Sequence, residues 1–378
     1  MILSVCIRTL SRVERMLVGS PNTGTKLLKA SRSSLSTLPT TEPRTASSSR
    51  TVICQIVSPT FCDSRGVAYG GAVMSLIDIT AGVASKKHSG LNVVTASVDS
   101  VAFAEPLREG EIVNVRASVN RAWNTSMEVG VRVEAEDPKT GDKKFCCHAY
   151  LTFVGLKALG QPSAVPAVMA ETENEKRRYN EADQRRTERN ERRRRLPPIT
   201  AIGTRRNGFM DTPQVSRSKK SGKQNGLPAK PASESYSETV QIVFPGDANS
   251  SNVLFGGNMI RYMESIAAIA AGRHTQSDVV TASIDSLNFI RSAQIGDVIT
   301  LRAVVSAAFT HSVEVYVTCE APSGITNDGY MTLVAVDSSG ELVRVPPLST
   351  DTDEEKVREA GASERRMTRL KHRASLRI

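Results

Sequence analysis

Residues 70–82 read GGAVMSLIDITAG, and residues 256–268 read GGNMIRYMESIAA. Each stretch opens on two glycines, continues in helix-compatible residues and carries one acid, Asp78 or Glu264, at the same place. In the first copy Val73, Leu76, Ile77, Thr80 and Ala84 recur at helical spacing, which predicts an amphipathic helix of about five turns. A carboxylate is rarely buried without a partner, so an acid among apolar neighbours needs a reason. It is either a capping or interface acid, or a general base or nucleophile with a raised pKa.

The two stretches belong to a longer repeat. Offset by 186 residues, the chain matches itself without a gap over about 80 positions. VVTASVDSVAF (93–103) meets VVTASIDSLNF (279–289), SMEVGVRVEAE (126–136) meets SVEVYVTCEAP (312–322), and His88 meets His274. After the helix come β-branched, partly alternating runs punctuated by Gly and Pro, which read as strands. One helix followed by an antiparallel sheet long enough to wrap it is an α+β layout. The modules are placed at 52–156 and 239–337. Each alone leaves a sheet edge open, and pairing two copies edge to edge covers it.

The net charge of +10 sits outside these modules. Residues 1–51 are net +6 and residues 157–238 net +8, so the remainder is −4. The segment 171–196 is nearly all charged and reads as a solvated helix, and the Pro/Ser/Gly/Lys-rich run to 238 reads as disordered linker. The tail 338–378 is also charged. Interleaved acids and few aromatics argue against nucleic acid as a partner. No run approaches the roughly 18–20 apolar residues of a membrane span. The six cysteines form no CxxC pair, which favours reduced thiols, and Cys146 and Cys147 read as strand packing residues. In MILSVCIRTLSRVERMLVGS, Leu3, Ile7, Leu10, Val13 and Leu17 share one helical face opposite Arg8, Arg12 and Arg15. A Ser-, Thr- and Arg-rich stretch follows. This pattern is that of a mitochondrial transit peptide, and the matrix is the expected location, with the cytoplasm as the alternative.

Two glycines ahead of a helix permit a sharp turn and close approach, and the free N–H groups of a first helical turn favour negative charge. Gly70 and Gly71 can therefore hold a phosphate, hold a developing oxyanion, or simply allow a tight turn against a neighbouring helix. Asp78, seven residues after Gly71, is expected on the same face. The copies differ at two places. Asp78 faces Glu264, and a longer side chain moves the carboxylate by about one carbon–carbon bond, enough to misplace a group aimed at a carbonyl. Asn249 in the second copy stands where the first has Asp63, and only the amide donates a hydrogen bond. In a pseudo-dimer, one site would hold Asp78 with Asn249, and the other, Glu264 with Asp63, looks degenerate.

The GG…ID…AG helix, VTASVD…F and NTSMEVGVRVEAED resemble the double hotdog acyl-coenzyme A thioesterases. The acid order resembles the acetyl-CoA and brown-fat-type members, although only about 40 residues follow the second module and a START domain is not expected. The resemblance covers about 200 of 378 residues. It implies tandem hotdog domains forming an intrachain pseudo-dimer, hydrolysis of acyl-CoA to free acid and CoA, no cofactor, and a trimer of double hotdogs. It implies that Asp78 activates water or attacks the thioester, that Asn249 orients water or carbonyl, and that the Gly70–Gly71 backbone polarises the carbonyl. It places CoA contacts at Ala96, Ser97, Val98, Thr125, Ser126 and Met127, and in the second copy at Ala282, Ser283 and Ile284. Arg177 or Arg178 would meet a nucleotide phosphate. The alternative is a non-catalytic acyl-CoA-binding double hotdog protein. A fusion of residues 1–50 to a fluorescent reporter is expected to label mitochondria; a diffuse cytosolic signal rejects the targeting assignment.

Overall fold

The structure is a computed structural model that describes residues 42–157, 160–195, 227–285 and 287–375. Residues 1–41 of the expected leader, 1–51, and residues 196–226 of the expected linker lie outside the described residues, whereas residues 44–51 are part of the fold. The described residues belong to one compact unit. In chain order the first half contains β1 (Arg44–Thr45), β2 (Thr51–Ile56), helix α1 (Gly70–Ser89), β3 (Asn92–Val98), β4 (Val101–Ala102), β5 (Ile112–Ala122), β6 (Ser126–Glu136), β7 (Lys143–Leu156), β8 (Val168–Met169) and helix α2 (Glu173–Arg195). The second half contains β9 (Lys230–Pro231), β10 (Ser237–Ile242), helix α3 (Gly256–Thr275), β11 (Asp278–Ile284), β12 (Leu287–Phe289), β13 (Val298–Ala308), β14 (Ser312–Ala321), β15 (Gly324–Val336), β16 (Leu348–Ser349), and helices α4 (Asp353–Ala360) and α5 (Ala362–Ser375).

Each half is a long helix wrapped by antiparallel strands, the layout expected from the repeat. In β6 the residues Met127, Val129, Val131, Val133 and Ala135 alternate inward and are all buried, as a half-buried strand requires. They pack against Val73, Met74, Ile77, Ala81 and Ala84 of α1 in one hydrophobic core that runs through both halves. The two sheets fuse into one of 12 strands, because β3 pairs with β12 and β11 pairs with β4. The edges that meet inside the molecule are therefore covered, while β2 and β10 form the outer ends.

The central helices α1 and α3 meet at their glycines. A Cβ on Gly71 would lie 2.9 Å from Arg261 Cα, and one on Gly257 would lie 2.7 Å from Ser75 Cα. Only a hydrogen fits at either place. Each helix is closed at its C-terminal end by a cation from the strand that opens its half: Arg44 donates to the carbonyl of His88 at 2.7 Å and Lys230 to that of His274 at 2.8 Å. The paired histidines are packing residues. His88 Nε2 and His274 Nε2 each lie 2.9 Å from a proline carbonyl, Pro166 and Pro346, and burial pushes both imidazoles below their usual pKa.

The flanks differ from expectation. Helix α2 is not a solvated linker but is docked on the first sheet. Arg185 forms a two-pronged contact with the fully buried Glu128, at 2.6 and 3.2 Å, and stacks 3.7 Å from the Tyr150 ring. Arg189 contacts both oxygens of Asp99 at 3.0 Å. The tail is docked in the same way. Arg365 pairs with the fully buried Glu314 at 2.7 and 3.0 Å, and Arg369 with Asp285 and Glu314 at 2.7 Å each. The repeat thus runs from Arg44 to Arg195 and from Lys230 to Ser375, wider than the modules read from the strands alone. The arginines look solvated in sequence because their carboxylate partners lie 51 to 90 residues away.

The close helix crossing has a measurable consequence. Gly257→Ala is expected to destabilise the protein by about 2 kcal/mol or more through overpacking against backbone. Gly272→Ala, in the same helix with nothing within 4 Å of its Cβ, is expected to be neutral or to stabilise by up to ~1 kcal/mol. Urea unfolding of the two variants checks this, and equal midpoints would contradict it.

Candidate active site

At the first turn of a helix the N–H groups have no intrahelical partner. Here each central helix points that turn at an acid of the other. The Gly257 N–H at the start of α3 donates to Asp78 Oδ2 of α1 at 2.8 Å, and the Thr95 hydroxyl of β3 donates to Asp78 Oδ1 at 2.8 Å. In mirror fashion the Gly71 N–H donates to Glu264 Oε2 at 2.7 Å, and the Thr281 hydroxyl donates to Glu264 Oε1 at 2.5 Å. The expected grouping of Asp78 with Gly70 and Gly71 is therefore corrected: Asp78 belongs with Gly256 and Gly257, and Gly70–Gly71 with Glu264. Seven residues along one helix is a rise of about 10 Å, and first-turn N–H groups point away from the helix body. A helix cannot turn its own first N–H groups on an acid two turns further along.

Asp78 is fully buried. Burial pushes its carboxyl up to about 6, against the pull of the Thr95 and Gly257 hydrogen bonds, which favour the anion. Burial also raises Glu264, opposed by Thr281, Gly71 and Gly70. Both are buried acids held above the usual carboxylate range.

A cavity of about 140 Å³ lies over Asp78, lined by Thr95, Ala96, Asn249, Gly256 and Arg291 among others. Gly256 is its thin wall, since a Cβ there would stand 2.8 Å from Asp78 Oδ2. Asn249 accepts the Ser251 and Val253 N–H groups through Oδ1, at 2.8 and 3.4 Å, which leaves its Nδ2 to offer a ligand. The cavity thus holds Asn249 together with Thr95 and Gly256, the residues that separate it from the buried Asp78. On the opposite side Asp63 and Glu264 line a cavity of about 410 Å³, which adjoins one of about 580 Å³ at Val67, Ala68, Val280 and Thr281. Room therefore does not distinguish the two acids; the neighbouring group does. Asp63 is spent: Arg65 Nη2 and Nε approach its Oδ2 at 2.6 and 3.1 Å, and the Arg65 and Val67 N–H groups donate to Oδ1. Burial pushes its carboxyl up, but these bonds outweigh it and the net shift is downward, so Asp63 stays ionised and cannot donate.

The expected CoA residues divide. Ala96 and Ala282 line the Asp78-side and Glu264-side cavities, each at a β-bulge that leaves it out of the strand register. Val98, Met127 and Ile284 are fully buried core residues, and Ser97 and Ser283 are buried as well, so their side chains do not face a cavity. Thr125 and Ser126 lie in the β5–β6 turn, where their carbonyls accept the Gly155 and Trp123 N–H groups. Arg177 is exposed on α2 beside Glu181, and neither Arg177 nor Arg178 lines a described cavity, whereas Arg366 and Arg373 of α5 line the 580 Å³ cavity. Thr95 and Thr281 went unnoticed; the signal was available, because the same VVTAS run carries a hydroxyl at the same place in both copies.

A tandem pair of helix-wrapping sheets with an acid from each helix on the other's N-terminus defines a double hotdog protein. The family model described as "Thioesterase superfamily" matches residues 65–141 and again 251–326. The chain is 36% identical over 166 residues to a Bacillus subtilis (strain 168) protein named uncharacterized acyl-CoA thioester hydrolase YkhA, covering 44% of this chain and 96% of that one. It is 31% identical over 329 residues to the acetyl-coenzyme A thioesterase of Rattus norvegicus, covering 84% of this chain and 57% of that one. The chain thus spans little more than half the length of that longer relative. A Staphylococcus aureus acyl-CoA hydrolase, solved in complex with butyryl coenzyme A, coenzyme A and coenzyme A disulfide, aligns at 37% identity over 40% of this chain and 92% of that one, with a TM-score of 0.38. The chain belongs to the thioesterase superfamily.

The raised pKa of Asp78 fixes a pH dependence. The folded-state value of about 6 lies above the ordinary 3.8, so the folded state binds the proton more tightly. That stabilisation is full below the unfolded pKa and is lost as pH rises through 6. Asp78→Asn removes the charge, and its amide can donate to Thr95 while its oxygen accepts from Gly257. The variant is expected to be more stable than the wild type by on the order of 1–3 kcal/mol at pH 8, with the gain about halved at pH 5. Urea midpoints at the two pH values test it; a variant less stable than wild type at pH 8 would overturn it.

Proposed function

We propose that the chain hydrolyses acyl-CoA thioesters to a carboxylic acid and CoA at the Asp78 site. The observation that supports this most is a buried, N–H-bonded Asp78 directly behind Thr95 and Gly256, which line one cavity with the Asn249 amide. Asp78, ionised above about pH 6, takes a proton from water, and the resulting hydroxide adds to the thioester carbonyl carbon. Gly257 spends its N–H on Asp78, so Gly256 at the cavity wall offers the next first-turn N–H to the carbonyl oxygen. The Asn249 Nδ2 orients the water or the carbonyl. The tetrahedral adduct then expels the CoA sulfur, which takes the proton held by Asp78, and the acid is released. Direct attack by Asp78, giving an anhydride that water then opens, uses the same atoms.

The Glu264 site is proposed to be without hydrolytic activity. Its acid is longer, and the place of the amide is taken by Asp63, which holds Arg65 instead of a substrate. The name of the rat relative and the compounds bound to the Staphylococcus aureus enzyme agree with a CoA thioester as substrate class.

Thiol release from acyl-CoAs of short to long chain tests the reading. Asp78→Asn is expected to lower kcat at least 10³-fold, in keeping with loss of a general base, while Glu264→Gln keeps most of the activity. The wild-type kcat/KM is expected to fall below pH 6 with one proton, and Thr95→Val, which removes a bond to the anion, to move that limb upward. No hydrolysis of any acyl-CoA by the wild type would sink the proposal.

A further inference from the structure

The cavity on the Asp78 side and its mirror have rims of opposite charge. By the offset of the repeat, Arg291 and Ser292 stand where the first copy has Glu105 and Pro106. Arg291 and Ser292 line the 140 Å³ cavity, and Glu105 and Pro106 line the 580 Å³ cavity. The exchange replaces an acid by a cation and a residue without a donor by a hydroxyl. Two neighbouring positions therefore change together, and both change toward holding an anion.

The backbone fixes where the cation stands. After β12 the Ile290 and Arg291 N–H groups donate to the Thr326 carbonyl at 2.8 and 3.3 Å, which ties this segment to β15. The guanidinium lies against the start of the same strand, where a Cβ on Gly324 would stand 2.5 Å from Arg291 Nη1. Arg291 is exposed, and its side chain meets no carboxylate among the described residues. It differs in this from Arg185, Arg189, Arg365 and Arg369, each of which is held by an acid of the sheet. A planar guanidinium left free at a cavity rim is a two-pronged receptor for an oxyanion.

Size and reach decide which anion. A volume of about 140 Å³ is well below the roughly 300–1,000 Å³ of a drug-sized ligand site, so the cavity admits a short acyl group. Gly256, Thr95 and Arg291 share that small space. A thioester carbonyl seated at Gly256 is thus only a few bonds from an anion at Arg291. The nucleotide phosphates of CoA do not meet this condition, because the whole pantetheine arm separates them from the carbonyl. The far carboxylate of a short dicarboxylic acyl group does.

We propose that Arg291, assisted by the Ser292 hydroxyl, selects CoA thioesters whose short acyl group ends in a carboxylate. The proposal rests on the thioesterase reading of the Asp78 site and names its substrate class. Glu105 at the mirror position repels the same group.

Succinyl-CoA and butyryl-CoA, which have chains of equal length ending in a carboxylate and a methyl, are the test pair. The full chain is expected to favour succinyl-CoA about tenfold in kcat/KM, by less at high salt. Arg291→Gln is expected to abolish the preference while leaving butyryl-CoA turnover unchanged, and Arg291→Lys to keep part of it. The preference is expected to persist with the matching acyl-pantetheines, which lack the nucleotide. A wild type that does not favour succinyl-CoA, or an Arg291→Gln variant that still does, overturns the proposal. So does an Arg291→Gln variant that slows both acyl-CoAs alike and spares both acyl-pantetheines, since Arg291 would then meet a phosphate. Calorimetric titration with the thioethers S-(3-carboxypropyl)-CoA and S-butyl-CoA reads the same selectivity without turnover. Tighter binding of the first, lost in Arg291→Gln, supports the anion contact even in a chain that hydrolyses no acyl-CoA, an outcome that refutes the catalytic reading alone; equal binding of the two refutes the contact.

Discussion

The fold turns on two reciprocal hydrogen bonds, Gly257 to Asp78 and Gly71 to Glu264. Each joins the N-terminus of one central helix to a carboxylate two turns into the other. A helix start carries partial positive charge and N–H groups in need of acceptors, and a buried carboxylate needs donors. The exchange satisfies both needs, but only if the two backbones nearly touch. Glycine at 71 and 257 is the condition for that approach, since a methyl group would meet backbone at 2.9 and 2.7 Å. The rest of the pseudo-dimer follows from this crossing: the sheets wrap outward from it and join across β3–β12 and β4–β11.

The same bonds give the acid its chemistry. The N–H and the threonine hydroxyl favour the anion, burial disfavours it, and burial wins by enough to bring Asp78 to about 6. A base held near neutrality is more useful than one at its ordinary value, because it is ionised in a neutral cell and still takes a proton readily. The mirror pair differs mainly in its neighbouring group. Glu264 has the same glycine and the same threonine, yet its neighbour Asp63 has been drawn into an ion pair with Arg65.

Much of this was legible in the chain. The repeat, the helix after each glycine pair and the alternating strands all follow from comparing the two copies. The docking of α2 and α5 was not. Arg185 reads as solvated beside Glu181 and Glu188, and nothing local marks Glu128, 57 residues upstream, as its partner. Strand alternation also misled at the CoA residues. Val98 and Met127 lie in runs that match the family, but the bulge at Ala96 decides which neighbour faces the cavity, and the other side chains go to the core.

The sequence by itself determined that one module occurs twice, that each carries an acid on its helix, and that only one half supplies an amide. These are matters of residue type and spacing, which periodicity and self-comparison expose. Only the tertiary structure decided which glycines serve which acid. A helix cannot turn its own first N–H groups on a side chain two turns further along, so the partner had to come from the other copy, at a distance of 179 residues for Asp78 and 193 for Glu264. Long-range pairing of this kind leaves no local trace, because the residues at each end look the same whichever partner they meet.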